Sequence, residues 1–396
     1  MSQGSTKKRW PSLQISLHAG LQIALICVAV SLAGCGQIQT KKPESVHPSS
    51  GEQAKSLRYL RTIDVVGMGS DDAIKRVIAG NDTQNLIRPT AIAVRGNTMI
   101  IADSGRFSKK SNITVAETGY GLSDAYMRVV DDAAGVIFRY DIKTGRMKVL
   151  WGVGDYIKGD VSDIYLASDD SFYVTDVEGR RALHFSPGGK LLKIYQHPPN
   201  IFRPIAITVD EVRKEVLVAD ETYSHIVAFD MKKATPIYGM GDRGNGPGKF
   251  RIITDMIAIP DGFLVSDRIE LRVQILDRAG NFVAEFGRGE ITFPTALAMD
   301  ADGRVFVSDK ADSTIKVYKA GKLIDTVGSN GYGAGEFRYI SDMKVMGNQL
   351  YVVDSLNGRI QVFEFVSENA VEGSAESAVE SSVPKNKSVA MNKTAG

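Results

Sequence analysis

From about residue 56 to residue 366 the chain alternates short apolar runs with clusters of Gly, Asp and Pro. One phrase returns six times. A β-branched or aromatic run closes on Asp at Ile100–Asp103, Tyr173–Asp176, Leu217–Asp220, Leu264–Asp267, Phe306–Asp309 and Tyr351–Asp354. From Asp103 to Asp354 the spacings are 73, 44, 47, 42 and 45 residues. Five residues after each Asp except the first, another run begins, at Arg181, His225, Arg272, Thr314 and Arg359. A preceding run is as regular, at Pro89–Val94, Pro204–Val209 and Pro294–Met299. Runs of this length and composition, bounded by turn formers, predict strands in an antiparallel meander.

A period of roughly 40–50 residues is that of propeller blades. One blade cannot bury both faces of its small sheet, so six must close into a ring. The expected fold is all-β, a six-bladed propeller of four-stranded antiparallel blades spanning 56–366. The sixth phrase ends at Phe363-Glu-Phe365 with no fourth strand behind it. The segment Leu57–Val66 has the character of the fourth strands found elsewhere, such as Phe282–Phe286, and is expected to close the last blade. The first blade departs from the pattern. Val136 takes the place held elsewhere five residues after Asp, leaving an insertion of about 28 residues at 104–131. Strand connectivity puts that loop on the face where the chain crosses between blades. A long loop on a rigid scaffold is either a functional element or a tolerated excursion.

The phrase Tyr351–Phe363, with the openings Gly246-Pro-Gly-Lys-Phe250 and Gly333-Ala-Gly-Glu-Phe337, resembles the NHL repeat. The resemblance covers about residues 56–365. It implies the propeller fold and says much less about function, because function lives in sites grafted on folds.

Composition narrows the classes. Of 396 residues 43% are apolar and 24% charged, which excludes a disordered chain or a polytopic membrane protein. The formal charge of +2 owes three units to Lys7, Lys8 and Arg9, so the body is near neutral and offers no electrostatic case for a nucleic-acid partner. Those residues precede the apolar run Leu21–Ala33. Thirteen residues cover roughly 20 Å as a helix, short of the ~30 Å hydrocarbon core, which suits a secretory h-region. The run ends in Leu32-Ala-Gly-Cys35, which resembles the lipobox of bacterial lipoproteins. That resemblance implies a signal peptide at 1–34, lipidation of Cys35 and a membrane anchor in the bacterial envelope, at the outer membrane of a Gram-negative cell. Multiple acyl chains supply the hydrophobic signals that stable anchoring needs. Residues 35–55 read as a flexible tether and 367–396 as a disordered tail. Both cysteines, Cys27 and Cys35, precede the folded body, so it holds no disulfide.

The chemistry available is sparse. The six repeat aspartates read as turn devices, accepting backbone hydrogen bonds or pairing with Arg181, Arg272 or Arg359. The glycine clusters at Gly239–Gly241 and Gly244–Lys249 lack a phosphate-loop frame and read as turns. His47, His184, His197 and His225 are scattered, so a three-histidine zinc site of the kind found in a propeller amidating lyase is not expected. No Gly-x-Ser-x-Gly elbow is present.

Two patterns go beyond the repeat. One residue after the inner strand's Pro or its substitute, the blades are read as carrying Thr90, Asp163, Ile205, Asp255, Thr295 and Asp342. Acid in every second blade of a six-fold ring would set three carboxylates at the channel mouth. Such a trio could bind a divalent cation or an ammonium group, or be hydrated turns where Pro is missing. Just upstream lies a basic series, Arg88, Lys158, Arg203, Arg251 and Arg338, a candidate rim for anionic partners. These features suggest an envelope-anchored binding or scaffolding propeller that offers one face to a protein or glycan and needs no cofactor. The alternative is a metal-assisted lyase or lactonase acting at the channel-mouth carboxylates.

Overall fold

The computed structural model describes residues 56–64, 86–105, 135–150 and 153–366. The leader, the tether, Val65, nearly all of the 104–131 insertion and the tail lie outside the described residues.

Alternating β-branched and small residues give each short run two faces, and every sheet is covered on both. Six four-stranded antiparallel sheets result. Their inner strands are Pro89–Arg95, Ile164–Leu166, Pro204–Asp210, Ile253–Ile259, Pro294–Met299 and Ile340–Met346, one for each of blades 1 to 6. Each inner strand packs against those of both neighbours, blade 6 against blade 1 included, and so the ring closes. No α-helix occurs among the described residues. The fold is a six-bladed β-propeller.

The core is divided rather than central. Six apolar clusters sit one at each junction between blades. The period of two along an inner strand explains how. Ala91 and Ala93 join the core shared with blade 2, whereas Ile92 and Val94 turn to the core shared with blade 6. The last blade closes as the pattern predicts. Leu57–Ile63 runs antiparallel beside Arg359–Phe365, with Leu57 opposite Phe365 and Ile63 opposite Ile360. Leu57 is buried in the core between blades 5 and 6, and Ile63 in the core between blades 6 and 1.

Strand register sets the polarity of the ring. Pro89 pairs with Asp103, Pro204 with Asp220, Ile253 with Asp267, Pro294 with Asp309 and Ile340 with Asp354. The start of each inner strand and the end of each second strand therefore share one end of the ring, called here the crossing face. In blade 1 Val136 pairs with Asp103, so the insertion leaves from and returns to that face.

Candidate functional site

The repeat aspartates build the crossing face. Asp103 accepts from the Ile87 and Arg88 amides, Asp220 from Phe202 and Arg203, and Asp309 from Thr292 and Phe293. Asp267 and Asp354 take the matching amides of Arg251 and Ile252, and of Arg338 and Tyr339. Asp176 accepts from Lys158. Each carboxylate thus satisfies amides of the segment entering its own blade, which a buried crossing must have answered. Arg181 and Arg359 donate to Asp176 and Asp354 at 3.0 and 2.9 Å, and Lys316 to Asp309 at 2.9 Å. Arg272 differs from expectation. It pairs with Glu285 and donates to the carbonyls of Asn245, Gly246 and Lys249. Gln274 also holds the Lys249 carbonyl, so this glycine-rich segment is a clamped blade crossing.

The register at the channel mouth is one residue away from that expected. Blades 4 and 6 have Ile253 and Ile340 at the proline position, and the residue after it is bulged out of the ladder. The corresponding position carries a hydroxyl in five blades: Thr90, Ser162, Thr254, Thr295 and Ser341, with Ile205 the exception. Several of these hydroxyls bridge to the next blade, as Thr90 to the Val161 carbonyl at 2.6 Å and Thr295 to Ile340 at 2.8 Å. Asp163, Asp255 and Asp342 stand one residue further in, where the odd blades have Ala91, Ala206 and Ala296.

Each of the three aspartates is buried and joins its blade to the next. One oxygen accepts the following residue's amide: Ile164 for Asp163, Met256 for Asp255, Met343 for Asp342. The other accepts the amide of Ile207, Leu297 or Ile92, at 2.8, 2.7 and 2.8 Å. Junctions 2–3, 4–5 and 6–1 are stapled in this way.

Lys344, which the sequence reading passed over, brings two of the carboxylates together. Its Nζ donates to Asp342 Oδ1 at 2.9 Å and to Asp163 Oδ1 at 3.0 Å. Burial works against the Lys344 charge, but Asp163, Asp342 and Asp255 outweigh it and hold the ammonium above the usual lysine range. Asp255 lacks such a contact among the described residues. Burial, with Asp163 and Asp342 nearby, pushes its carboxyl up to about 7 against the pull of Lys344. Asp342 is raised by burial to about 6. The signal for Lys344 was in the sequence: an inner strand with Lys where other blades have Ala93, Tyr165, Thr208, Ile257 and Ala298.

The basic series falls into two registers. Arg88 and Arg203 occupy the second of the two positions bonded to the repeat Asp, while Arg251 and Arg338 occupy the first. Arg203 pairs with Glu221, Arg251 with Glu270, and Arg338 lies over the Tyr332 ring. Lys158 is exposed. Further cations come from the residue after the repeat Asp. Arg268 and Lys310 lie over the Phe293 ring at 5.1 and 5.2 Å, and Lys310 is 4.9 Å from the Tyr339 ring. The described histidines do not converge. His184 stacks on Tyr173 with Nε2 2.9 Å from Ser171 Oγ, His225 bonds the Asn200 carbonyl, and His197 bonds Asn200. Among the described residues no group of three or more His, Cys, Asp or Glu is placed to hold a metal ion.

Comparisons agree with this architecture. A family described as "6-bladed beta-propeller" (DUF5128) matches residues 295–381, which include blade 5 from its second residue and the strands of blade 6 up to Phe365. No curated protein matches the chain. A structural genomics protein of unknown function from Bacteroides thetaiotaomicron VPI-5482 is similar in structure, with a TM-score of 0.51 and 14% identity. The match covers 72% of this chain and 71% of that one, and at this identity it concerns the fold alone.

Proposed function

We propose that this chain is an NHL-type binding propeller, carried on a bacterial lipoprotein through Cys35, that docks a partner on its crossing face. The observation that carries the reading is the distribution of exposed large apolar side chains. Among the described residues, Ile87, Phe202, Tyr223, Ile269, Tyr332 and Leu356 stand on that face with Tyr156 and Leu271, whereas only Val212 stands on the opposite one. Others lie on the outermost strands, such as Leu192 and Val283. Apolar and aromatic side chains gathered with arginines are the usual make-up of an interface centre. The metal-dependent enzyme reading has less support. The cation it assigns to the channel mouth is supplied within the chain by Lys344.

A photo-reactive residue at Tyr223 or Ile269 should capture a discrete partner in envelope preparations, and one at Val212 should not. Equal labelling at both ends of the ring, or none at either, would remove the reading.

A further inference from the structure

The centre of the crossing face is more basic than its surroundings. Backbone bonds seat Arg268 beside Ile252 and Lys310 beside Phe293, just as Ser104 is seated beside Arg88. These positions reach toward the ring axis. Contacts run from blade to blade there. Arg268 of blade 4 lies 3.4 Å from Glu221 of blade 3 and 5.1 Å from the Phe293 ring of blade 5. Lys310 of blade 5 lies 4.9 Å from the Tyr339 ring of blade 6, on whose hydroxyl Arg88 of blade 1 also acts. Burial raises the Tyr339 hydroxyl above the usual tyrosine range.

Among the described residues these cations outnumber the carboxylates in ion-pair contact with them. Arg203 and Arg268 share one acid, Glu221. Arg88 and Lys310 have no carboxylate in ion-pair contact among the described residues. Arg268 and Lys310 both lie over the Phe293 ring, whose π face attracts them. Among the described residues, then, Arg88 and Lys310 have no ion-pair partner and Arg203 and Arg268 share one, and such a set favours an anionic group.

We infer that the mouth holds an Asp or Glu side chain from an acidic protein segment whose apolar flanks rest on the surrounding collar. The inference depends on the docking-face reading above and names the partner's chemistry. A protein segment is favoured over an acidic glycan because Ile87 and Ile269, next in sequence to Arg88 and Arg268, are exposed aliphatic residues, as is Leu356 on the same face. Covering them with a hydroxylated chain would bury its polar groups unpaired, whereas Leu, Ile or Phe gains by the contact.

The test is a random dodecapeptide library panned on the full chain in detergent. Recovered peptides should carry Asp or Glu flanked by Leu, Ile or Phe. One such peptide, followed by fluorescence anisotropy, should lose about tenfold or more in affinity for Arg88→Ala and again for Lys310→Ala. It should lose as much when its own acid becomes Gln, and polygalacturonate should compete poorly. Peptides without acid, undiminished binding to both variants, or stronger competition by polygalacturonate would overturn the inference. If Ile269→Asp with Leu356→Asp abolishes binding while the cation variants do not, the docking face stands and the carboxylate clamp falls. If neither set matters, or no peptide is recovered, both fall.

Discussion

Replacing Lys344 by Met keeps an unbranched stem of similar length and removes the charge that Asp163 and Asp342 share. Two carboxylate oxygens lie 3.0 and 2.9 Å from Nζ. At an effective dielectric constant of about 20, each contact carries roughly 5–6 kcal/mol of gross attraction. Desolvation of the ammonium takes back much of this, and breaking a buried pair costs about 3–5 kcal/mol net. A ring of about 300 residues unfolds with an entropy near 0.6 kcal/mol/K, so at pH 8 the variant should melt roughly 5–8 °C lower. The deficit should shrink at pH 5. Asp255 and Asp342 are raised to about 7 and about 6, chiefly by burial, so at pH 5 they are mostly neutral in the folded chain. A carboxyl that keeps its proton to higher pH when folded makes the folded state bind more protons than the unfolded one between about pH 4 and 7. Stability then falls as pH rises through that window, and losing Lys344 steepens the fall. Thermal unfolding followed by far-UV circular dichroism at both pH values measures this. Asp255→Asn is the control. It should flatten the same profile while costing about 1–3 kcal/mol at pH 5, because the amide of Met256 or Leu297 loses its acceptor. An equal drop in Tm at pH 5 and pH 8 for Lys344→Met would refute the reasoning.

Two further outcomes follow. Removing residues 1–64 deletes the strand paired with Arg359–Phe365 and should abolish the cooperative transition, whereas removing 1–55 should leave Tm nearly unchanged; equal melting of the two would deny the latch its role. Cys35→Ser should yield an uncleaved or soluble product that no longer partitions into the detergent phase, and equal partitioning of mutant and wild type, with no fatty acid on either, would discount the lipid anchor.

The blades were legible because a strand's faces alternate with period two and the turns carry their own chemistry. Six Asp-closed runs and a missing fourth strand were enough to count the blades and to find the latch at Leu57–Ile63. The function of the repeat aspartates was also legible, since a short carboxylate after a strand has amides within reach. The alternation of Asp163, Asp255 and Asp342 was visible, but their register was not. Three blades mark the position with Pro, and where Ile253 and Ile340 replace it, a bulge of one residue cannot be counted from the chain alone. The basic series split for the same reason, since Arg88 and Arg251 differ by one step along an extended backbone and so point differently.

Local pattern by itself determined the strands, their number and their order around the ring, because each depends on residues within one blade. Tertiary structure alone decided what meets at the axis. Lys344 lies two residues from Asp342 but 181 from Asp163, Arg268 of blade 4 meets Glu221 of blade 3, and Lys310 of blade 5 meets the Tyr339 ring of blade 6. Ring closure sets those distances. The charge balance of the channel and of its mouth is therefore a property of six blades together, and no single blade's sequence contains it.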